Sequence, residues 1–175
     1  KDAYFVDCGL TYSGTAATSI SGLTHLEGEK IVVLGDGATH PDRTVSSGGI
    51  TLARSVQKAH IGFNYKSTLQ TMRIAAGWTE GTSQGKNKRI NNITLRLYKS
   101  VGVKVVSSEA ELDLIPFRSS ADDMSEALGM FTGDKEVEFR GGYDNDGFVF
   151  VRQDQPLPLT VLAIFPGLQT FDQWG

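Results

Sequence analysis

A chain of 175 residues, 39% hydrophobic and 21% charged, can form one sizeable β domain or two small ones, and its ordinary composition excludes disorder and collagen-like repeats. A formal net charge of −3 gives no overall pull toward nucleic acid or an anionic membrane, and a single cysteine, Cys8, excludes an internal disulfide and suggests a reducing cytoplasm. The longest apolar run near the end, Leu159 to Phe165, is broken by Thr160 and falls far short of the roughly 20 residues of a membrane helix. In chain order, Lys1-Asp2-Ala3 shows neither Met nor a charged-then-apolar leader, so the sequence reads as an excised piece of a longer protein. Cys8 closes the run Tyr4-Phe5-Val6-Asp7-Cys8 and is expected to be a buried structural thiol.

Short β-branched runs separated by glycine-rich turns recur along the whole length. Residues 30–35 read as a buried strand, and Asp36-Gly37 supplies the two-residue turn of a hairpin. Residues 38–45 are the return strand, which Pro41 restricts to an edge or bulge. Ser47-Gly48-Gly49 turns the chain into a further strand, and the segment through Phe63 is expected to form a small barrel of about 40 residues, a size marginal on its own.

In residues 92–99, Ile93, Leu95 and Leu97 alternate with Asn92, Thr94 and Arg96, the period of a half-buried antiparallel strand. Val101-Gly102 turns it into residues 103–106, and residues 136–140 alternate in the same way. Asp144-Asn145-Asp146-Gly147 is a hairpin loop leading into residues 148–151, whose lack of alternation suggests cover on both faces. Residues 157–165 close the set, with both prolines at the strand entrance. One short helix is expected, over residues 120–129, from a serine N-cap, early acids and a closing glycine.

Motifs for chemistry fail on spacing. Gly81-Thr82-Ser83-Gln84-Gly85-Lys86-Asn87 has three residues between its glycines where a phosphate loop needs four, and Asn87 stands where Ser or Thr is required, so a mobile basic loop is expected. Aligned as an EF-hand, the 144–147 loop puts Gly142 and Gln153 at positions that should be acidic; loose cation binding by Asp144 and Asp146 is weighed against a plain hairpin turn, which is favoured. His25, His40 and His60 lack the close pairing of a zinc site, no G-x-S-x-G occurs, and Asp122-Asp123 reads as a solvated helix start. No catalytic residue, cofactor or metal is expected.

Charge is unevenly placed. From Lys86 to Lys104 the ionised residues are Lys86, Lys88, Arg89, Arg96, Lys99 and Lys104, all basic, whereas acids dominate from Glu109 to Asp146. Two readings stand open: solvated faces of a sandwich, or complementary surfaces that meet between subunits. Lys86, Lys88 and Arg89 are the candidate subunit or DNA contacts.

The stretches His25-Leu26-Glu27-Gly28, Val33-Leu34-Gly35-Asp36-Gly37 and Pro41-Asp42 resemble the C-terminal region of tail tubular B (nozzle) proteins of short-tailed phages and related tail proteins. The same region resembles the small barrel named after the first catalytic-cysteine half-domain of ubiquitin-activating enzymes, as a likeness of fold only. Residues 81–90, 131–135, 141–147 and 152–164 continue the resemblance, which covers roughly residues 23–168 and is more specific in its second half. It implies a six-fold ring continuing the DNA exit channel below the connector, with other tail or connector proteins as partners and non-specific contact with genomic DNA. A propeller-like portion is expected upstream of this piece.

The expected fold is therefore all-β, a small β-barrel plus an antiparallel β-sandwich with little helix. Residues 1–22 are expected as a strand or extension from an upstream domain, 23–65 as the barrel and 66–175 as the sandwich. The expected function is a structural, non-enzymatic phage or prophage tail component, made in the bacterial host cytoplasm, located in the virion tail and not in a membrane. The rival is a host-surface carbohydrate-binding module, for which Tyr12, Tyr65, Trp78, Tyr143 or Trp174 would line a groove.

Overall fold

The computed structural model describes residues 2–75, 77–78, 81–106, 113–120, 122–123, 126–139 and 141–171. Its strands are β1 Asp7–Ser21, β2 Lys30–Gly35, β3 Ala38–Thr44, β4 Gly49–Phe63, β5 Ser67–Gln70, β6 Gly77–Trp78, β7 Gly81–Thr82, β8 Asn87–Ser100, β9 Lys104–Val106, β10 Asp113–Leu114, β11 Phe131–Glu138, β12 Tyr143–Asp144, β13 Phe150–Gln153 and β14 Val161–Phe171. The fold is all-β, and the single helical piece among the described residues is a 3-10 turn at Thr24–Leu26. No helix among the described residues is long and apolar enough to cross a membrane. Two compact units divide the chain: Lys1–Lys66 with Phe117–Gly129 and Gln153–Pro158, and Ser67–Pro116 with Met130–Arg152 and Leu159–Gly175.

The first unit is built on an antiparallel sheet in the order β1-β4-β2-β3. Asp36 and Gly37, at φ 50 and 88, make the tight hairpin between β2 and β3 that their residue types predict. The Asp36 carboxylate also accepts the backbone N–H groups of Gln57 and Lys58, at 3.0 and 3.1 Å, tying the hairpin tip to β4. Ile31 and Val33 from β2, Leu52, Val56, Ala59 and Ile61 from β4, Ile20 from β1, and Leu23 and Leu26 from the 3-10 turn form one buried cluster. Ile61 is fully buried. Truncating such a residue to Ala typically costs about 2–5 kcal/mol.

The small barrel expected over residues 23–65 is not closed. Closure would require the outer strands β1 and β3 to pair, and they remain the two edges of the sheet. Pro41 in β3 lacks the N–H a continuing ladder would use. Residues 7–21 pair with β4 along most of its length, through three irregularities of register. That strand is rich in Ser, Thr, Gly and Ala and shows few apolar side chains, so backbone pairing rather than pattern marks it. Cys8, expected to be buried, is exposed at φ 49, and its carbonyl meets His25 Nε2 at 3.0 Å.

The helix expected over residues 120–129 is absent among the described residues. The Arg118 guanidinium donates to the carbonyls of Asp123 and Glu126, acceptors a helix would need for itself. The Asp122 carboxylate accepts the N–H of Ser119 at 2.6 Å, which holds its pKa below the usual carboxylate value and closes a turn instead.

The second unit holds a two-stranded pair, β6-β7, and two four-stranded sheets. One has the order β10-β9-β13-β5. In the other, β8 is central, with β11 and β12 along one side and β14 along the opposite side. Ile93, Leu95 and Leu97 of β8 are fully buried, and Asn92, Thr94 and Arg96 are not, as the alternation predicts. In residues 148–151, expected to be covered on both faces, Val149 and Val151 are buried while Phe148 and Phe150 are half-buried, so one face is covered fully and the other in part. Arg152 Nε donates to Thr68 Oγ1 at 3.0 Å, giving this buried guanidinium a polar partner. The last strand runs on to Phe171, past the expected limit at residue 165, with register shifts at Leu162 and after Gly167.

Two outcomes follow for the first unit. The Glu27 carboxylate accepts the N–H groups of Ser47 and Gly48, each at 2.7 Å, and so locks the turn into β4. Glu27→Ala should cost about 1–2 kcal/mol by urea unfolding, the lower range for a carboxylate that stays exposed. Burial of the His40 ring, helped by Arg54 and Arg43 and opposed by Asp36, lowers its pKa below 6.5. The folded state therefore favours the neutral ring, and stability should be full above pH 6.5 and fall as the pH drops through the folded pKa. His40→Gln should flatten the urea midpoint between pH 7 and pH 5, checked against the sloping wild-type curve.

Candidate functional site

The period of two that organises β8 is broken once, and the break places the basic residues. Asn92 pairs with Gly167 but Ile90 pairs with Leu168, so Asn91 is an extra residue, a β-bulge. Strict alternation from Ile93 would turn Arg89 inward and Lys88 outward. The bulge reverses this: Ile90 is 4% and Lys88 3% exposed, whereas Arg89 is exposed. Lys88, expected as a subunit or DNA contact, is thus withdrawn from the surface. Arg89 lies outside with its guanidinium 5.7 Å from the centre of the Tyr143 ring. Lys86 is half-buried at the end of the turn that precedes β8.

Lys88 closes a loop from below. Its ammonium donates to the Asn145 carbonyl at 2.7 Å, and a methyl added at Gly147 would stand 3.4 Å from its Cδ. The Asp144 carboxylate accepts the N–H groups of Asp146 and Gly147, at 3.2 and 3.1 Å, and Asp146 pairs with Arg73 at 2.9 Å. Asp144 and Asp146 are therefore engaged in holding their own hairpin. Among the described residues no group of three or more His, Cys, Asp or Glu side chains is arranged to hold a metal ion.

Beside this loop lies an open recess of about 790 Å³, lined by Met72, Arg73, Ile74, Ala75, Gln84, Gly85, Lys88, Asn145, Asp146 and Phe148. Its volume falls within the range of about 300–1,000 Å³ usual for small-molecule sites. Neither Tyr12 nor Tyr65 belongs to it; Tyr143 lines a smaller neighbouring hollow of about 170 Å³ that shares Lys88 and Phe148. Trp174 lies outside the described residues. No sequence motif marks the recess, because its walls come from three separate stretches. One signal was present: Ile90 and Ile93 stand three apart, which no uninterrupted strand with one buried face allows.

The opposite charges of the two blocks meet inside the chain. Strands β8 and β11 are antiparallel neighbours, with Asp134 opposite Arg96 and Glu136 opposite Thr94. Arg96 binds Asp134 through two bonds of 2.7 and 2.8 Å, Asn92 donates to Glu136 at 2.5 Å, and Arg96 also lies 5.1 Å from the centre of the Phe165 ring. Part of the complementarity is therefore spent on strand register.

The Arg96 guanidinium holds the Asp134 pKa below its usual 3.8. A depressed carboxylate contributes stability above the unfolded value and loses it as the pH falls through the folded one. Asp134→Asn should accordingly be less stable than wild type at pH 7, with the gap in urea midpoint closing below pH 3.8. Equal gaps at pH 7 and pH 2.5 would show that the ion pair does not matter. Comparison with known proteins returns no matching family model and no matching curated protein.

Proposed function

We propose that this chain is a structural component of a bacteriophage or prophage tail, working by packing against copies of itself in a ring around the DNA exit channel. The observation that carries the reading is the pair of long outer strands. β1 runs for 15 residues and β14 for 11, each paired along one side among the described residues. Free edges of this length invite unwanted pairing on a solitary protein, and directional subunit contacts put them to use.

The segments that resemble nozzle proteins support the same reading. Residues 33–37 form the hairpin of the first sheet, and residues 141–147 form the loop locked by Lys88. Arg89, exposed on β8, is the basic group offered to a neighbouring subunit or the DNA backbone. A stabilised ring should appear as a closed six-fold particle with a central channel in electron micrographs of the full-length protein. A protein that stays strictly monomeric at high concentration by light scattering would overturn the assignment.

A further inference from the structure

Lys88 is the one lysine among the described residues that is buried, and its charge is not matched. Of its three N–H donors, one is used, on the Asn145 carbonyl at 2.7 Å. Among the described residues no carboxylate pairs with it. A buried ammonium so placed is costly unless something of opposite charge completes its shell. It lines the 790 Å³ recess and the smaller hollow beside it, so the space next to it is open to a ligand.

The rest of the lining indicates what that ligand is. Arg73 uses Nε on Asp146, and among the described residues no second partner engages its guanidinium. Arg73, Lys88 and Asp146 together leave a net charge of +1 (two cations, one anion) in a chain whose total is −3. Among the described residues the side-chain amides of Gln84 and Asn145 have no partner, and both residues are exposed. Met72, Ile74, Ala75 and Phe148 supply an apolar wall. An oxyanion for the ammonium, hydroxyls for two planar amides and a carboxylate, and a ring face for the apolar wall are the chemistry of an acidic sugar.

We propose that the recess between residues 72–75, 84–88 and 145–148 binds an acidic saccharide, with the sugar carboxylate on the Lys88 ammonium and the Arg73 guanidinium. The site stands whether or not the chain assembles into a ring, so its failure and the failure of the tail assignment are told apart by different experiments.

The test is titration of the 175-residue protein with glucuronate, glucose and inorganic phosphate in turn, followed by calorimetry and by amide chemical shifts. Glucuronate should shift Gln84, Gly85, Asn145 and Phe148, and bind at least tenfold more tightly than either glucose or phosphate. Lys88→Met should abolish the binding. Should that variant fail to fold, Arg73→Gln removes only an exposed ion pair and should weaken glucuronate several-fold with little change in the unfolding midpoint. Equal affinity for glucose would show that the cations take no part, and equal affinity for phosphate would show no sugar selectivity. Either result, or the absence of shifts at these residues, overturns the proposal.

Discussion

The phase of strand β8 governs the second unit. Fourteen residues long and paired on both sides, it sets the register of β11, β12 and β14 at once. A strand offers one choice per residue, inward or outward, and the extra residue Asn91 inverts that choice for everything before it. The inversion puts an ammonium where an aliphatic side chain would be expected. It also puts a guanidinium outside, over Tyr143. The bulge therefore trades local pairing for a cation held at depth, which a regular ladder could not present. Bulges concentrate where a side chain must be re-aimed, and this one does that.

A second theme is the use of carboxylates on backbone amides. Asp36, Glu27 and Asp144 each accept two main-chain N–H groups, and each does so at or beside a turn. For Glu27 and Asp144 such bonds satisfy donors that a turn would otherwise leave open, whereas Asp36, at a hairpin tip, takes its donors from the middle of β4. Much of the acidity of this chain is architectural. The same holds for Asp134 and Glu136, whose partners lie on the next strand.

How much of this could be read from the amino-acid order depends on whether the information is local. The hairpin at Asp36-Gly37 and the alternation through Ile93, Leu95 and Leu97 are local, and the structure has both. Residues 1–22 were expected as a strand or extension from an upstream domain; the pairing of β1 with β4 was not legible, because its Ser, Thr, Gly and Ala residues follow no apolar period and its partner lies some forty residues away. The helix over residues 120–129 was misjudged because Arg118, just before it, takes the carbonyls that the helix needed. The closed barrel failed for a similar reason, since whether two edge strands meet is decided by the whole sheet. Lys86, Lys88 and Arg89 stand out as a group by charge, but the directions of Lys88 and Arg89 rest on a bulge that charge counting does not reveal. The recess draws on stretches about seventy residues apart, and no spacing rule joins them.

The first unit is assembled from three pieces of chain, ending with Gln153–Pro158. The Asn64 amide donates to the Asp154 carbonyl at 2.7 Å, so the end of β4 finds one of its hydrogen-bond partners ninety residues later. On a ribosome, the sheet that contains β4 would emerge about ninety residues ahead of that partner. Its early hairpin is local and fast to form, while closing so long a loop is the slow step. Cutting the chain at residue 66 would part the first sheet from the later segments Phe117–Gly129 and Gln153–Pro158 of its own unit, while every segment of the second unit lies beyond the cut.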